Sequence, residues 1–314
     1  MTKPKYISVN GELVPYDEAT VHLLSPAVKY GALVFEGLRA YWNSDNEELY
    51  VFRLAEHLER FHRTLRAMRF DVRYTDEALT DTVVGLLRAN EVRDDVHLRI
   101  AAYVEGDGLY DSTGPIGLMC AAYGRRSGTL ETKLTRAGVV SWRRIDDASM
   151  PPRLKVAANY HNARLGALEA HGHGYDEPIF LTAQGRVAEG AGSCLMLVRD
   201  GQLLTPSVTE GILESVTRRT LLGMASELGI EVVERAVDRT ELYFCDEAFF
   251  CGTGVEILPV VEIDGQPLGA GSGTDDSDRV GEITRQLWTR YHDCVRGVSD
   301  ENAEWRTAVY EGER

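Results

Sequence analysis

The stretch PRLKVAANYH, residues 152–161, contains Lys155, the last of only five lysines in a chain whose other 29 basic residues are arginines. The segment LKVA around Lys155 is apolar, and we predict that it forms a buried strand. Burial of an ammonium group costs several kcal/mol and lowers the pKa of the lysine, which leaves a neutral amine that can attack a carbonyl group. The alternative is a structural lysine at a strand end, with its ammonium group reaching water.

The composition limits the partners that the protein can have. The 314 residues include 49 acidic and 34 basic ones, for a formal net charge of -15, and such a charge disfavours nucleic acid and anionic membranes as partners. An acidic surface also favours solubility in strong salt, so we hypothesise a halophilic cytoplasm. No stretch of about 18 apolar residues and no signal-peptide pattern occurs, and we predict a cytoplasmic protein.

The cysteines predict neither a metal site nor a disulfide framework. They form no CxxC pair and lie in no His cluster at zinc spacing. We therefore predict reduced, mostly buried thiols and no bound metal. The five positions are Cys120, Cys194, Cys245, Cys251 and Cys294.

The first part of the chain reads as a small α/β domain, residues 1–124. Residues 6–19, YISVNGELVPYDEA, predict a β-hairpin, because Asn-Gly is a favoured pair for a tight hairpin turn. Apolar residues at helical spacing predict two helices, one beginning at residue 54 and one over 76–90. Strands are predicted within residues 33–42, 48–53, 95–106 and 115–124.

The remainder reads as a larger domain, residues 138–314, after an interdomain loop at 125–137 that is polar and aperiodic. Its strands and helices do not alternate regularly, which favours an α+β class over a doubly wound parallel sheet. The loop GAGSGTDDSD at 269–278 is acidic and of low complexity. Strands are predicted within residues 138–144, 154–157, 178–183, 193–206, 231–237 and 247–253, and helices near 159–171, 215–228, 239–243 and 279–297.

Two further segments carry chemistry. Glu189, in GRVAEGAGSCLMLV, stands at a turn before Gly-Ala-Gly, where a carboxylate can approach a ligand closely; a solvated turn glutamate is the alternative. Phosphate can bind at a helix start or a backbone nest, and the candidates lie in ESVTRRT, with Ser215 and Thr217, and in FFCGTGVE, with Gly252 and Thr253. Capping and turn chemistry could explain both. Neither segment matches a Walker or Rossmann pattern, so nucleotide binding is disfavoured.

The order of these segments resembles a known family. VKYGALVFEGLRAY, VFRLAEHLERF, LKVAANY, VAEGAGSC, VTRRT and CGTGVEILPV follow one another over nearly the whole chain. They resemble the blocks of fold type IV pyridoxal phosphate enzymes and, among these, of the branched-chain amino acid aminotransferases. The resemblance implies a small N-terminal α/β domain and a larger C-terminal pseudo-barrel α/β domain.

The resemblance also implies roles in binding pyridoxal 5′-phosphate. Lys155 would form the Schiff base with the cofactor and later shuttle a proton. Glu189 would pair with the pyridine nitrogen, and Tyr160 would hydrogen-bond the phenolic oxygen. The phosphate would be held by Arg53, whose fork can meet two oxygens at once, together with Val216, Thr217, Gly252 and Thr253.

The substrate residues follow from the same resemblance. Tyr30, Phe35 and Gly37 would form the side-chain pocket, Arg99 would receive the distal carboxylate of 2-oxoglutarate, and strand alternation places His97 on the face of Arg99. A surface ion pair is the alternative for Arg99. The α-carboxylate would bind the backbone of Gly254 and Val255, and a loop with Leu109 and Tyr110 would cap a neighbouring subunit's pocket, which implies at least a homodimer.

Three positions depart from the family pattern. His97 stands where relatives often have a phenol, Ser215 replaces a usual glycine, and YGRRSG replaces an aromatic-rich start of the interdomain loop. We hypothesise that Arg125 or Arg126 helps Arg99 to bind the distal carboxylate of glutamate and 2-oxoglutarate.

The predicted function is a transaminase that moves amino groups between leucine, isoleucine or valine and 2-oxoglutarate. A D-amino acid or (R)-amine transaminase and an aminodeoxychorismate lyase remain possible within the same fold, because they would use the same lysine, glutamate and phosphate-binding groups. From a different class, a non-catalytic acidic binding protein with a structural Lys155 is the remaining alternative.

Overall fold

The computed structural model describes residues 3–268 and 279–311, so the predicted acidic loop at 269–278 lies outside the described residues. The α-helices are α1 (Pro26–Tyr30), α2 (Leu54–Ala67), α3 (Asp76–Ala89), α4 (Tyr160–Gly172), α5 (Val216–Glu227) and α6 (Glu282–Arg296). The strands are β1 (Tyr6–Val9), β2 (Glu12–Pro15), β3 (Leu33–Asn43), β4 (Glu48–Phe52), β5 (Val96–Val104), β6 (Ile116–Gly124), β7 (Thr135–Arg143), β8 (Glu177–Leu181), β9 (Cys194–Arg199), β10 (Gln202–Pro206), β11 (Val232–Arg235), β12 (Glu247–Gly252), β13 (Glu256–Ile263), β14 (Gln266–Pro267) and β15 (Arg306–Ala308).

Short 3-10 helices join some of these elements. Among the described residues, no helix combines the length and the apolar character needed to cross a membrane. The 3-10 helices span Tyr16–Glu18, Glu131–Lys133, Ala157–Asn159, Arg239–Tyr243 and Ala303–Trp305.

Contacts divide the chain into two compact units. The first unit comprises the chain up to Ser127, the short piece Leu154–Ala158 and the chain from Asp293 onward. The second unit comprises Gly128–Arg153 and the chain from Asn159 to His292. The domain boundaries predicted from the sequence, at 124 and 138, stay a prediction.

The first unit is built on a seven-stranded antiparallel sheet in the order β15-β4-β3-β5-β6-β1-β2. Helices α2 and α3 bury their apolar residues in the same core as one face of this sheet, with Leu58, Phe61 and Val83 almost without solvent exposure. The predicted hairpin joins β1 to β2. Its turn places Asn10 and Gly11 at positive φ, 54° and 86°, a conformation that asparagine and glycine adopt at low cost.

The second unit contains a mixed sheet in the order β11-β10-β9-β12-β13-β7-β8, with β14 paired to β13. Strands β7 and β8, β7 and β13, and β10 and β11 pair in parallel, whereas the other pairs are antiparallel. This mixture agrees with the predicted α+β class. Helix α4 packs on β7 and β8, and a Cβ on Gly166 would lie 2.1 Å from the ring of Phe180, so only glycine lets the helix approach so closely.

The predicted strand around Lys155 is wrong. Only Val156 pairs, in an isolated bridge with Val34, because the chain turns at once into the 3-10 helix Ala157–Asn159 and then into α4. Lys155 is half-buried, not fully buried as expected. The segment around Lys155 is therefore an irregular connection that is held to β3 by the single bridge between Val156 and Val34.

A second difference concerns β13, which the sequence reading did not assign as a strand. Pro259 lies within it, opposite Phe249 of β12, and proline inside an apolar run argues against a central strand because it cannot donate to the ladder. Tertiary pairing with β12 and β7 overrides that local signal.

Candidate active site

Lys155 is held against strand β3 in the first unit. The amide of Phe35 donates to the carbonyl oxygen of Lys155 at 3.1 Å, next to the bridge between Val34 and Val156. The Lys155 Nζ lies 5.0 Å from the centroid of the Phe35 ring, within range of a cation–π contact. The sequence around Lys155 therefore fixes the amine beside an aromatic ring, although by a bridge and not by a strand.

One face of the sheet in the first unit, called the cationic face below, carries four of the predicted substrate residues: Phe35, Gly37, His97 and Arg99. Phe35 and Gly37 alternate onto one face of β3, and Gly37 pairs with Arg99 of β5. The Arg99 guanidinium lies 4.1 Å from the centroid of the Phe35 ring. A Cβ on Gly37 would lie 3.1 Å from Cε1 of His97, so the glycine makes room for the imidazole. The structure thus brings Phe35, Gly37, His97 and Arg99 together with Lys155.

This face is rich in positive charge. Burial and the nearby charges of Arg125, Arg39, Arg99 and Lys155 lower the pKa of His97 to about 3, so its imidazole is neutral at physiological pH. Within the described part of the chain, Nδ1 of His97 and Nε of Arg99 are buried without a hydrogen-bond partner. Buried polar atoms are normally paired, and Nε of Arg99 always carries a hydrogen, so it can donate to an anionic, oxygen-bearing ligand.

The two arginines predicted to assist Arg99 are placed differently. Arg126 forms an ion pair with Asp94 at 3.0 Å, and its side chain is 85% exposed. The charge of Arg125, in contrast, acts on His97. Both side chains are exposed, and Arg125 differs in that its charge helps to lower the pKa of His97.

The start of the interdomain loop is anchored in the first unit. Arg39, almost fully buried on β3, donates to the carbonyl of Arg125 at 2.5 Å and to Oγ of Ser127 at 3.2 Å. Asp95 accepts from Ser127 at 2.9 Å and from Arg296 at 2.6 Å. These bonds hold the backbone from which the Arg125 side chain projects.

The predicted pocket residue Tyr30 and the predicted capping residues Leu109 and Tyr110 lie on an exposed surface. Tyr30, Leu109 and Tyr110 are 45%, 62% and 78% exposed. The rings of Tyr30 and Tyr110 meet edge to face with centroids 6.3 Å apart, and Lys29 Nζ donates to the carbonyl of Gly108 at 2.7 Å. The loop is thus tied to helix α1 while its apolar side chains face outward.

Arg53 immediately precedes helix α2. Its φ is 51°, a left-handed conformation that is unusual for a residue other than glycine. Its guanidinium lies 4.0 Å from the centroid of the Trp305 ring and pairs with Glu56 at 2.5 Å. Arg53 is buried and oriented by these two contacts. A rigid, planar donor of this kind suits a phosphate group.

On the opposite face of β3, the sequence reading missed a buried charge cluster. Glu36 has no solvent exposure and accepts from Arg60 through two bonds of 2.7 Å, while His57 Nδ1 lies 2.8 Å from Glu36 Oε2. Burial alone would raise the pKa of Glu36, but the charge and hydrogen bonds of Arg60 and His57 hold it at about 2. Burial also lowers the pKa of His57.

In the second unit, Glu189 is a buried and fully oriented carboxylate. Its Oε1 pairs with Arg144 at 2.6 Å, and its Oε2 accepts from the amide of Leu213 at 3.1 Å. Arg144 also donates to Oδ1 of Asn162 at 3.1 Å and to the carbonyl of Gly211 at 3.3 Å. Sequence reasoning missed Arg144, for which the only signal was the pair Arg143-Arg144 at the end of a predicted strand.

The predicted phosphate residues converge at the start of helix α5. The hydroxyl oxygens of Thr217 and Thr253 lie 3.4 Å apart, and Ser215 caps the helix by accepting from the amide of Arg218 at 3.2 Å. A Cβ on Gly252 would lie 3.3 Å from the carbonyl oxygen of Gly192, so a side chain there would crowd this loop. Helix-start amides with two hydroxyls form an anion site.

Tyr160 and the turn at residues 253–255, between β12 and β13, also lie in the second unit. Tyr160 begins α4 and is 36% exposed, and a Cβ on Gly192 would lie 3.9 Å from its ring. The amide of Val255 donates to the carbonyl of Gly252 at 3.2 Å within the turn, whereas no acceptor for the amide of Gly254 occurs among the described residues. The amide available for a carboxylate is therefore that of Gly254.

These residues fit pyridoxal phosphate. The oriented carboxylate of Glu189 suits a protonated pyridine nitrogen, and the start of α5 with Thr217 and Thr253 suits a phosphate. A Cβ would crowd the loop at Gly252. The acceptor at Glu189 and the donors at the start of α5 thus match the two different ends of the cofactor.

Comparison with known proteins decides the family. The family model described as amino-transferase class IV matches residues 33–263. The chain belongs to this family. This class IV aminotransferase is 40% identical over 306 residues to the probable branched-chain-amino-acid aminotransferase of Aquifex aeolicus, with 96% of each chain covered.

Solved structures of relatives superpose on this class IV aminotransferase over almost its whole length. A branched-chain aminotransferase from Thermoproteus uzoniensis with norvaline superposes with a TM-score of 0.89, at 40% identity and over 98% of this chain and 100% of that one. The holo-form of the enzyme from Thermobaculum terrenum gives the same TM-score at 39% identity, over 98% and 99% of the chains. The predicted family, fold and transaminase activity are confirmed.

Proposed function

We propose that this aminotransferase moves the amino group between L-leucine, L-isoleucine or L-valine and 2-oxoglutarate, with pyridoxal 5′-phosphate as cofactor. Relatives of the same length that are named for this activity support the substrate class, and a solved relative in its cofactor-bound form supports the cofactor. When bound, pyridoxal phosphate withdraws electrons from the substrate's α-carbon and so makes its proton acidic.

One observation carries the proposal: the cationic face of the first unit combines an apolar ring with buried donors. Phe35 offers apolar surface for an aliphatic side chain, while Arg99 offers the charge and the N–H groups of its guanidinium for a carboxylate. A transaminase of this class must accept both kinds of side chain in turn. The juxtaposition of Phe35 and Arg99, at 4.1 Å, provides for both.

In this proposal Lys155 supplies the amine that couples to the cofactor and then moves a proton at the substrate's α-carbon. Its carbonyl is held by the amide of Phe35, which keeps the backbone of Lys155 in place while the side chain moves. A positioned general acid–base group contributes about 10²- to 10⁴-fold to the rate. Lys155 is therefore the residue whose loss should be most damaging.

The cofactor would be oriented by charge at both ends. Glu189, held by Arg144, would accept a hydrogen bond from the protonated pyridine nitrogen, and Tyr160 would hydrogen-bond the phenolic oxygen. Arg53 and the start of α5, with Val216, Thr217, Gly252 and Thr253, would hold the phosphate. The α-carboxylate of the substrate would bind the turn at Gly254 and Val255, chiefly through the amide of Gly254.

An amino-donor panel tests the proposal. The purified enzyme, loaded with cofactor, is assayed with 2-oxoglutarate and with L-leucine, L-isoleucine, L-valine, D-alanine and an (R)-amine. We expect the three branched L-amino acids to react fastest and Lys155→Ala to lose at least about 10²-fold in kcat. Faster reaction of D-alanine or the amine, or release of pyruvate without an acceptor, would instead indicate the other activities of this fold.

We also propose a homodimer in a cytoplasmic setting. The exposed apolar side chains on the first unit exceed what single scattered residues would explain and suit a second copy of the chain. All five cysteines are free thiols, as in a reducing compartment. Light scattering at micromolar concentration should give twice the chain mass, and a monomer would refute the dimer. The exposed residues are Val21, Leu23, Leu24, Val28, Tyr30, Leu109 and Tyr110.

A further inference from the structure

The turn that ends at Glu256 is unusual in its backbone. It joins β12 to β13, and Glu256 closes it at φ 63°, in the left-handed region where glycine is favoured. A glutamate is disfavoured there by its Cβ, and its side chain is nevertheless completely buried. A residue that is costly both in conformation and in burial must gain something through its carboxylate.

Lys133 is the partner of that carboxylate. Its Nζ lies 2.5 Å from Oε2 of Glu256 and donates to the carbonyl of Val255 at 3.3 Å. The side chain of Lys133 is 18% exposed, so this ion pair is largely withdrawn from water. Lys133, which lies before β7, thus binds two consecutive residues of the turn, Val255 and Glu256.

The interdomain loop is shaped to deliver Lys133. Lys133 ends the 3-10 helix Glu131–Lys133, and Thr132 Oγ1 accepts from the amide of Thr129 at 3.0 Å. A Cβ on Gly128 would lie 2.8 Å from Cε of Lys133, so the glycine leaves the path that the lysine stem follows. The stem of Lys133 therefore passes close to Gly128 on its way to Glu256.

We infer that Lys133 and Glu256 are positioning residues that hold the turn of Thr253 and Gly254 in its binding conformation. The inference rests on the proposed function, in which Thr253 contacts the cofactor phosphate and the amide of Gly254 contacts the substrate α-carboxylate. Because every substrate and product carries an α-carboxylate, a loosened turn weakens all of them alike. The interdomain loop is thereby coupled to substrate binding through one ion pair.

The variant Glu256→Gly separates this role from a merely structural one. Glycine suits φ 63°, so the change relieves the backbone and removes only the carboxylate that pairs with Lys133. A merely structural ion pair would lower the unfolding temperature and leave both KM values unchanged. We expect the relieved backbone to offset part of the stability lost with the ion pair, while KM for leucine and for 2-oxoglutarate rises together by about tenfold, the loss of one charged hydrogen bond. The dissociation constant for pyridoxal phosphate, measured by absorbance titration of the apoprotein, should rise as well.

Glu91→Gly is the matched control. Glu91 has φ 52° and an exposed side chain, so the change relieves the same backbone conformation without removing a buried carboxylate, and the kinetics should not change. Lys133→Met should weaken both substrates, Lys133→Arg should restore most of the affinity, and Lys133→Met with Glu256→Gly should be no worse than Glu256→Gly alone. Wild-type KM values in Glu256→Gly would overturn the inference. Absence of transamination in the wild-type enzyme would instead overturn the proposed function.

Discussion

At the scale of single residues, buried charges decide where side chains point. Glu36 has no exposure, and two bonds from Arg60 and one contact with His57 compensate for its burial. A carboxylate in such a setting stays ionised because its partners favour the charged form more than burial opposes it. Its pKa of about 2, against an ordinary 4.5, measures that balance.

Glu36 therefore makes stability depend on pH. Its folded-state pKa is lowered, so its contribution is present above pH 4.5 and disappears as the pH falls from 4.5 towards 2. A shift of this size corresponds to about 3 kcal/mol of unfolding free energy. We expect Glu36→Gln to cost about that much at pH 7, as measured by urea unfolding, and to cost progressively less below pH 4.5.

Glu59→Gln provides the control for this prediction. Glu59 lies on α2, the helix that carries the partners of Glu36, and pairs with Arg63, but its side chain is 53% exposed. Exposed pairs contribute less than about 1 kcal/mol, so this variant should unfold like the wild type. A Glu36→Gln protein whose deficit is the same at pH 3 and pH 7 would contradict the assignment of the charge.

At the scale of elements, hydrogen bonds fix the backbone at residues 125–127, where the loop that follows β6 begins. Arg39, Asp95 and Arg296 hold Ser127 and the carbonyl of Arg125. A loop root fixed in this way sends neighbouring side chains to different places. The two adjacent arginines, Arg125 and Arg126, therefore differ in their surroundings although they are identical in type.

We predict that Arg125→Ala raises KM for 2-oxoglutarate by about tenfold, the scale of one charged contact, and leaves KM for leucine unchanged. Removal of its charge from the cationic face affects only a substrate with a distal carboxylate. Arg126→Ala should change neither KM, because its guanidinium pairs with Asp94 on the surface. Steady-state kinetics with both substrates decide the point, and an equal effect of Arg125→Ala on leucine counts against it.

At the scale of the whole molecule, the formal net charge of -15 governs behaviour in salt. Like charges repel across a surface, and salt screens them with a Debye length of about 10 Å at 0.1 M and about 3 Å at 1 M. We predict that activity and unfolding temperature both rise between 0.1 M and 2 M KCl. Assays across that range test the halophilic hypothesis, and an optimum at low salt would speak against it.

Local patterns predicted much of the fold. Helices α2 to α6 and the hairpin at Asn10-Gly11 follow from apolar spacing and turn chemistry, which act over a few residues. Strand β13 was missed because Pro259 argues locally against a strand, and the strand at Lys155 was predicted in error because an apolar run does not reveal its pairing. Both errors arise where tertiary pairing overrides local preference.

The sequence by itself determined most of the helices, the family resemblance and the acidic charge, because these depend only on residue type and spacing. Only the tertiary structure decided which charges meet: Arg144 with Glu189, and Lys133 with Glu256 across 123 positions of the chain. A buried ion pair depends on where the backbone carries two distant side chains, and no local pattern encodes that distance. For the same reason, only the tertiary structure shows that Arg126 pairs with Asp94 while the charge of Arg125 acts on His97.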